Sequence, residues 1–218
     1  MSIINAINSI NFFSNLTNEQ AELLASISSV KSYSKDYVLH YEKKSTNDLL
    51  FLKTGLAKAY KIDKYNNEVF LYYTYENSLL SEVSDIFSDD LYFFSNIELL
   101  EDSQILSIDY SRFKEYFLSN NILSLEFMNE IILKSNKLQS LVNREFIFDS
   151  VAKVAIMLHN DLNMFNKLKR HDISLILHIQ PATLSRVLNR LKRNKIIDII
   201  HGKVEVLDSV ALKMIFEE

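Results

Sequence analysis

The hydrophobic pattern divides most of the chain into three parts. From residue 31 to about residue 109, short runs rich in Val, Leu, Tyr and Phe alternate with polar breaks, which is typical of an antiparallel β-domain. Gly55 and Asn66 stand between such runs, where turns are expected. From residue 111 to 159 the spacing is helical, without Gly or Pro, so a long helix is predicted. The remaining residues predict a helix, a turn, a second helix and a small hairpin.

A further helix is predicted ahead of the β-domain, over residues 17–30. Thr17 is placed as its N-cap, and Gln20 completes a capping box. A second capping residue, Asp149, is expected at the start of the helix over residues 150–162. The stripe of the first helix that we expect to be buried consists of Leu23, Leu24 and Ile27.

The only proline of the chain, Pro181, stands in the last part. Proline suits the first turn of a helix, because its missing N–H would have no helical partner there and its φ angle is already helical. Pro181 therefore marks the start of the second helix, with Gln180 placed to cap it. His201 and Gly202 form the centre of the hairpin predicted next. The apolar face of the helix consists of Leu184, Val187, Leu188 and Leu191.

Charge singles out the same region. Between residues 167 and 203 there are nine Lys and Arg and two Asp, a net charge of +7, whereas the whole chain carries −4. A basic island in an acidic protein is expected of a nucleic-acid contact, although a solvated basic helix face gives the same signal. Short side chains and Arg186 would read bases, and basic residues such as Arg193 would meet phosphates. The DNA contacts predicted in this way are Gln180, Ala182, Thr183, Ser185, Arg186, Arg190, Lys192 and Lys203.

The stretch 170–206, RHDISLILHIQPATLSRVLNRLKRNKIIDIIHGKVEV, resembles the winged helix-turn-helix of the Crp/Fnr family. This family of transcription regulators is named after the cyclic-AMP receptor protein and the fumarate–nitrate regulator. The resemblance implies that Arg186 matches the arginine that reads guanine. Ala182 stands where many members carry a glutamate, and His178 stands where a glycine commonly occupies the turn.

The resemblance also implies an α+β fold in three parts. Residues 1–110 would form an N-terminal cyclic-nucleotide-binding-like β-roll that acts as sensor. Residues 111–147 would form a long dimerisation helix and a hinge, and residues 148–218 a C-terminal winged helix-turn-helix that binds DNA. The expected function is that of a homodimeric transcription regulator.

A heptad-like seam on the long helix is the predicted contact between two copies, although such a stripe can also pack on the chain's own core. Two copies would present two recognition helices to a palindromic site in double-stranded DNA. RNA polymerase is a further candidate partner of such a regulator. The predicted interface residues are Leu125, Met128, Ile132, Gln139 and Val142.

Cyclic AMP is not the expected effector. Family members that bind it hold the phosphate with an arginine and a serine, and these positions fall near Phe93 and Phe94 here. No arginine precedes Arg112, and a phosphate without a cationic partner would be heavily penalised. A small apolar effector would suit the aromatic residues of this region. The predicted effector residues are Tyr72, Glu82, Phe93, Phe94 and Leu138.

Two alternatives stay open for the sensor. The first is a haem-based sensor of gases or nitrosative stress, with His40 as the one histidine of the β-domain that could hold the iron. The second is a regulator without an effector, controlled by its abundance or by a protein partner. Apart from haem, no cofactor and no metal site is predicted. The absence of cysteine excludes disulfides, iron–sulfur clusters and cysteine-ligated zinc.

Other classes of protein find no support in the sequence. There is no Ser-His-Asp spacing, no cluster of metal ligands and no glycine-rich phosphate loop, since the chain has two glycines only. An enzyme is therefore not expected. No apolar run reaches the ~18 to 20 residues of a membrane span, and the first residues do not resemble a signal peptide. The expected location is the cytoplasm.

Overall fold

The structure, a computed structural model, describes residues 3–217, with the backbone alone at residues 144 and 145. The chain divides into two compact units, and the first ends at Lys137 while the second begins at Leu138. The first unit holds short helices, most of the strands and the first part of a long helix, and the second holds the rest of that helix, further helices and one hairpin. The mixed helix-and-sheet fold predicted from the sequence is therefore confirmed.

The N-terminal helices are α1 (Ile3–Asn8) and α2 (Asn18–Ser26), with a 3-10 turn between them. The capping box at Thr17 is confirmed, because its side chain accepts from the backbone of Gln20 and the Gln20 side chain accepts in return. The predicted end of α2 was wrong.

The residues from Ser28 onward form a strand instead of continuing α2 to residue 30, since they pair with the last strand of the β-domain. The helix therefore ends at Ser26. Leu24 and Ile27 are buried as predicted, but Leu23 is 41% exposed. It lies on the outer side of the short helix.

Ten strands form the β-domain, and they pair as two four-stranded antiparallel sheets and one short pair. The first sheet has the order β1-β10-β4-β7, the second has the order β2-β9-β5-β6, and β3 pairs with β8. The strands are β1 (Ser28–Tyr33), β2 (Val38–His40), β3 (Ser45–Thr46), β4 (Asp48–Thr54), β5 (Leu56–Ile62), β6 (Glu68–Tyr75), β7 (Ser78–Leu79), β8 (Leu91–Tyr92), β9 (Asn96–Leu99) and β10 (Ser103–Asp109).

The predicted turns lie where the sequence placed them. Gly55 joins β4 to β5 with φ +103°, and a Cβ at this position would overlap the Ser103 side chain. Asn66 lies between β5 and β6 with φ +66°. Apolar residues from both four-stranded sheets, among them Leu52, Ile97 and Ile105, form the interior of the β-domain, together with Phe93 directly after β8.

The helical region after the β-domain is interrupted, so a single long helix from residue 111 is not observed. A short helix α3 (Tyr110–Phe113) and a π-helical turn precede the long helix α4 (Ser124–Phe146). Asn121, with φ +56°, breaks the helical path between them. Helix α5 (Ser150–Asn160) follows, and its predicted cap is confirmed, because Asp149 accepts from two backbone N–H groups at 2.9 and 2.8 Å.

The second unit continues with three helices, a hairpin and a last helix. The hairpin turn at His201 and Gly202 has φ +49° and +81°, which confirms the predicted turn. Over the described residues, no helix has the length and apolar character needed to cross a membrane. The elements are α6 (Leu162–Lys167), α7 (Arg170–Leu177), α8 (Pro181–Arg193), β11 (Ile197–Ile200), β12 (Lys203–Val206) and α9 (Ser209–Met214).

Candidate nucleic-acid interface

Helices α7 and α8 are joined by a turn of three residues that begins at His178. Its φ of +50° lies in the left-handed region, so the histidine adopts the conformation that a glycine would supply. Its backbone N–H donates to the Leu175 carbonyl at 3.2 Å, and the N–H of Ile179 donates to the Ser174 carbonyl at 3.0 Å. These bonds end α7 and direct the chain into α8.

Helix α8 begins at Pro181, as predicted. Gln180 is the N-cap residue, and its carbonyl accepts from the N–H groups of Thr183 and Leu184 at 2.8 and 3.0 Å. The Gln180 side chain makes no capping hydrogen bond, so the prediction is right about the position and wrong about the contact. The exposed side chain is instead available at the start of the helix.

The two faces of α8 differ as its spacing predicts. Leu184 and Leu191 are almost fully buried, and Val187 and Leu188 lie beside them on the same face. The opposite face is exposed. Ala182, Arg186, Asn189 and Arg193, which follow one another at helical spacing, lie at its centre, with Thr183 and Arg190 on one flank and Ser185 and Lys192 on the other. The predicted set of contacts omitted Asn189, which the spacing of 3 to 4 residues would have included.

The polar side chains of this face are not equally free. The Arg186 side chain makes no hydrogen bond or ion pair with any side chain or backbone group that the structure describes. Lys192 instead pairs with Asp198 of β11 at 2.8 Å, and this hydrogen bond lowers the pKa of the Asp198 carboxyl. The Ser185 hydroxyl donates to the Pro181 carbonyl at 3.1 Å. Arg186 is therefore, like Arg190 and Arg193 on the same side of the helix, a forked donor that a ligand can engage without breaking an existing bond.

The hairpin is tied to the helices before it. The Asn166 side chain donates to the Val204 carbonyl at 2.9 Å and accepts from the Val204 N–H at 2.8 Å. Arg170 donates to the Gly202 carbonyl at 3.0 Å and lies over the Phe165 ring. Lys203, at the start of β12, is exposed. A helix-turn-helix with a fixed hairpin beside it has the arrangement of a winged helix-turn-helix.

The comparisons with known proteins agree with this arrangement. Residues 152–215 match the Crp-like helix-turn-helix domain family. No curated protein matches the sequence.

Solved structures with the same fold cover nearly the whole chain. A putative transcriptional regulator of the Crp/Fnr family from Eubacterium rectale has a TM-score of 0.67 at 16% identity, over 97% of this chain and 100% of the other. A CooA mutant from Carboxydothermus hydrogenoformans has 0.72 at 18% identity, over 91% of each chain. FixK2 from Bradyrhizobium japonicum has 0.65 at 16% identity, over 88% of this chain and 98% of the other.

The chain therefore carries a Crp-like helix-turn-helix domain and has the fold of the Crp/Fnr transcription regulators, with a cyclic-nucleotide-binding-like β-domain before it. The resemblance that the sequence suggested is confirmed.

The predicted effector residues are brought together only in part. The Glu82 carboxylate accepts from the Tyr72 hydroxyl at 2.9 Å, from the Ser95 hydroxyl at 2.7 Å and from the backbone N–H of Phe94. Burial and the nearby Glu82 charge raise the pKa of Tyr72. Phe93 points into the core and is fully buried.

The remaining predicted effector residue, Leu138, belongs to the second unit. Its place beside the other residues stays a prediction. The ring of Phe94 is half exposed, so only its backbone N–H takes part in the polar cluster.

Two lysines that the sequence reasoning missed lie near this carboxylate. The side chain of Lys134 on α4 is half-buried, and its amino group donates to the Leu80 carbonyl at 3.0 Å. Burial lowers the pKa of Lys134 to about 8, while the charge of Glu82 acts in the opposite direction. Lys137 lies over the Tyr72 ring, 5.7 Å from its centroid, and its pKa is also lowered by burial. The positive charge of this region thus comes from α4.

His40 does not have the surroundings of a haem ligand. Its ring stacks flat on the Phe93 ring with 3.8 Å between centroids, and burial lowers its pKa. The cavity beside it measures about 110 Å³, which is too small for a haem macrocycle. The residues present do not fit the haem alternative.

Proposed function

We propose that the protein is a homodimeric transcription regulator that binds a palindromic site in double-stranded DNA through α8. The observation that carries this proposal is the exposed face of α8, where Arg186 stands without a partner among the described residues. The face belongs to a Crp-like helix-turn-helix domain, and a net charge of +7 surrounds it. Base-reading helices present such short side chains and forked donors from their first turns.

The three-part division predicted from the sequence belongs to the same proposal. Residues 1–110 act as sensor, residues 111–147 as dimerisation helix and hinge, and residues 148–218 bind DNA. An enzymatic function has no support in the described residues, and the cytoplasmic location and the contact with RNA polymerase stay predictions. The effector is not cyclic AMP in this proposal, since Phe93 and Phe94 stand near the positions of the arginine and serine that hold its phosphate, and no arginine precedes Arg112.

Exposed apolar side chains on α4 support the proposed dimer. Leu125 is 78% exposed, and Met128, Ile132 and Val142 are each at least half exposed. A single copy therefore leaves this seam uncovered, although apolar stripes on helices are normally buried. Gln139 is also exposed and continues the seam. A second copy, with its own α4, would cover the seam with matching side chains.

Replacing Arg186 tests the DNA contact. We expect Arg186→Ala to weaken binding to the specific operator by about 1 to 3 kcal/mol and to leave binding to random DNA nearly unchanged, because only base contacts carry sequence information. Fluorescence anisotropy with an operator selected from a random library measures both affinities. Millimolar cyclic AMP should change neither of them.

The matched control for this test is Lys203→Ala. Lys203 is exposed on the hairpin and is predicted to meet a phosphate, so its loss should weaken specific and random DNA alike. Equal losses on both DNAs for Arg186→Ala would contradict the role in base reading.

Replacing Ile132 tests the dimer. Ile132→Asp should place two like charges against each other across the seam and yield monomers that keep their helical content but bind the operator weakly. Light scattering and circular dichroism measure these two properties. The exposed Ile62→Asp, in the β-domain, serves as control and should stay dimeric. An Ile132→Asp variant that is still dimeric would place the interface elsewhere.

A further inference from the structure

A cavity of about 430 Å³ opens in the second unit, beside α8 but away from the centre of its exposed face. Its volume lies within the range of about 300 to 1,000 Å³ that small-molecule sites occupy. The segment that follows α4, the start of α5, the end of α8 and the last residues of the chain all contribute to it. Its apolar lining includes Ile147, Phe148, Val151, Leu191, Ile215 and Phe216.

Three polar residues complete the lining, and they differ in whether their side chains already have hydrogen-bond partners. Asp149 caps α5, where one carboxylate oxygen accepts from the N–H groups of Val151 and Ala152. Arg190 and Asn194 lie one turn apart at the end of α8, and both are exposed. Neither side chain makes a hydrogen bond or ion pair within the described part of the chain. The negative charge of the lining is thus held by a helix start, whereas the positive charge is free.

This combination selects one class of ligand. Aromatic and aliphatic walls, including Phe148 and Phe216, favour an apolar body. A free guanidinium at the edge favours a carboxylate, which it can hold by two parallel charge-assisted hydrogen bonds. The Asn194 amide can donate to the same group. We propose that this cavity binds a small amphipathic carboxylate, with its apolar body between the start of α5 and the two residues that follow α9, Ile215 and Phe216, and its carboxylate on Arg190.

The position of the cavity gives the ligand a route to the DNA-binding helix. It contacts Ile147 and Phe148, directly after the end of α4, and Arg190 on α8. Arg190 is also a predicted DNA contact, and a guanidinium that holds a ligand carboxylate is no longer available to a DNA phosphate. The ligand should therefore lower DNA affinity. Binding of the ligand itself does not depend on the proposed function, because it is measured without DNA.

Two probes of equal shape test the proposal on the full-length protein. 4-Phenylbutanoate carries the carboxylate, and 4-phenylbutanamide replaces it with a neutral amide. Calorimetry should show saturable binding of the carboxylate and about tenfold weaker binding of the amide. Methyl NMR should place the carboxylate probe at Ile147, Val151 and Ile215. Equal affinities for the two probes, or no saturable binding at millimolar concentration, would overturn the proposal.

Two variants locate the site. Arg190→Leu should remove the preference for the carboxylate, and Val151→Trp should weaken both probes by filling the cavity. Lys167→Leu removes a positive charge from the same unit outside the lining, and should behave as the unchanged protein. If Arg190→Leu and Lys167→Leu bind the carboxylate equally well, the carboxylate does not lie on Arg190. Circular dichroism confirms that each variant is folded.

Discussion

Polar groups in the two units differ in whether the protein itself supplies their hydrogen-bond partners. At the predicted effector position of the first unit, Glu82 accepts three hydrogen bonds from Tyr72, Ser95 and Phe94. On the exposed face of α8 in the second unit, the Arg186 side chain has no partner among the described groups. The protein itself supplies the partners of the Glu82 carboxylate, whereas the Arg186 guanidinium is left to bind an external group.

This difference separates groups that stabilise the fold from groups that bind. A buried or half-buried polar group costs free energy unless it is hydrogen-bonded, so the Glu82 cluster contributes to stability whether or not a ligand exists. An exposed arginine loses little in water and gains two strong bonds on a suitable partner. Residue type alone does not distinguish the two cases, because the resemblance marked both Glu82 and Arg186 as functional.

The largest expected effect tests the cluster that Glu82 forms with its three hydrogen-bond donors. Glu82→Leu removes the acceptor of three donors and a neighbour of the Lys134 charge, so we expect a loss of about 2 to 4 kcal/mol in the free energy of unfolding of the first unit. Urea denaturation followed by circular dichroism measures it. Glu82→Gln keeps one acceptor oxygen and should lose clearly less. A loss below about 0.5 kcal/mol for Glu82→Leu would mean that water replaces the carboxylate easily and that the position is open to ligands.

The next effect concerns pH. Burial lowers the pKa of Lys134 to about 8 from 10.5, so the folded protein binds fewer protons than the unfolded chain between these values. The free energy of unfolding should therefore rise with pH between about 8 and 10.5, by at most about 1.4 kcal/mol per pH unit. Below pH 8, Lys134 is charged in both states, so its destabilising contribution should be constant. The charges of Glu82, Glu130 and Lys137 face the same amino group.

Lys134→Met isolates this contribution, because all other groups titrate in both proteins. The free energy of unfolding of the unchanged protein, minus that of Lys134→Met, should increase between pH 8 and 10. Chemical denaturation at several pH values measures the difference. A difference that is flat over this range would show that the Lys134 amino group stays hydrated in the folded protein.

The second unit was largely predictable from the sequence, because its signals are local. The proline at the first position of α8, its apolar stripe and the glycine turn of the hairpin each act over a few residues. Helical periodicity alone therefore separates Leu184 from Arg186. The partner of Lys192 was not predictable, since the bond to Asp198 depends on how β11 returns beside α8.

The site of the first unit was predictable only in part, because its contacts join distant stretches of the chain. Lys134 donates to the carbonyl of Leu80, 54 residues earlier, and no local pattern indicates this pairing. The sequence placed Phe93 and Phe94 together as effector residues, but alternation along the strand and its continuation points one ring into the core and leaves the other half exposed. Contacts between distant stretches of the chain therefore determine the surroundings of Lys134, Phe93 and Phe94.

The smallest expected effect is the change in the free energy of unfolding when Arg186 is replaced, in contrast to the large loss expected for Glu82→Leu. Arg186→Ala should change the free energy of unfolding by less than about 0.5 kcal/mol, because the exposed side chain has no partner to lose within the described residues. Alanine also favours helix at this position. Urea denaturation of the second unit's helices, measured without DNA, tests this expectation. Adding operator DNA should then stabilise the unchanged protein more than Arg186→Ala, since ligand binding adds stability in proportion to affinity. A clear loss of stability without DNA would place Arg186 among the groups that hold the fold, as Glu82 does, and would remove the contrast between the two units.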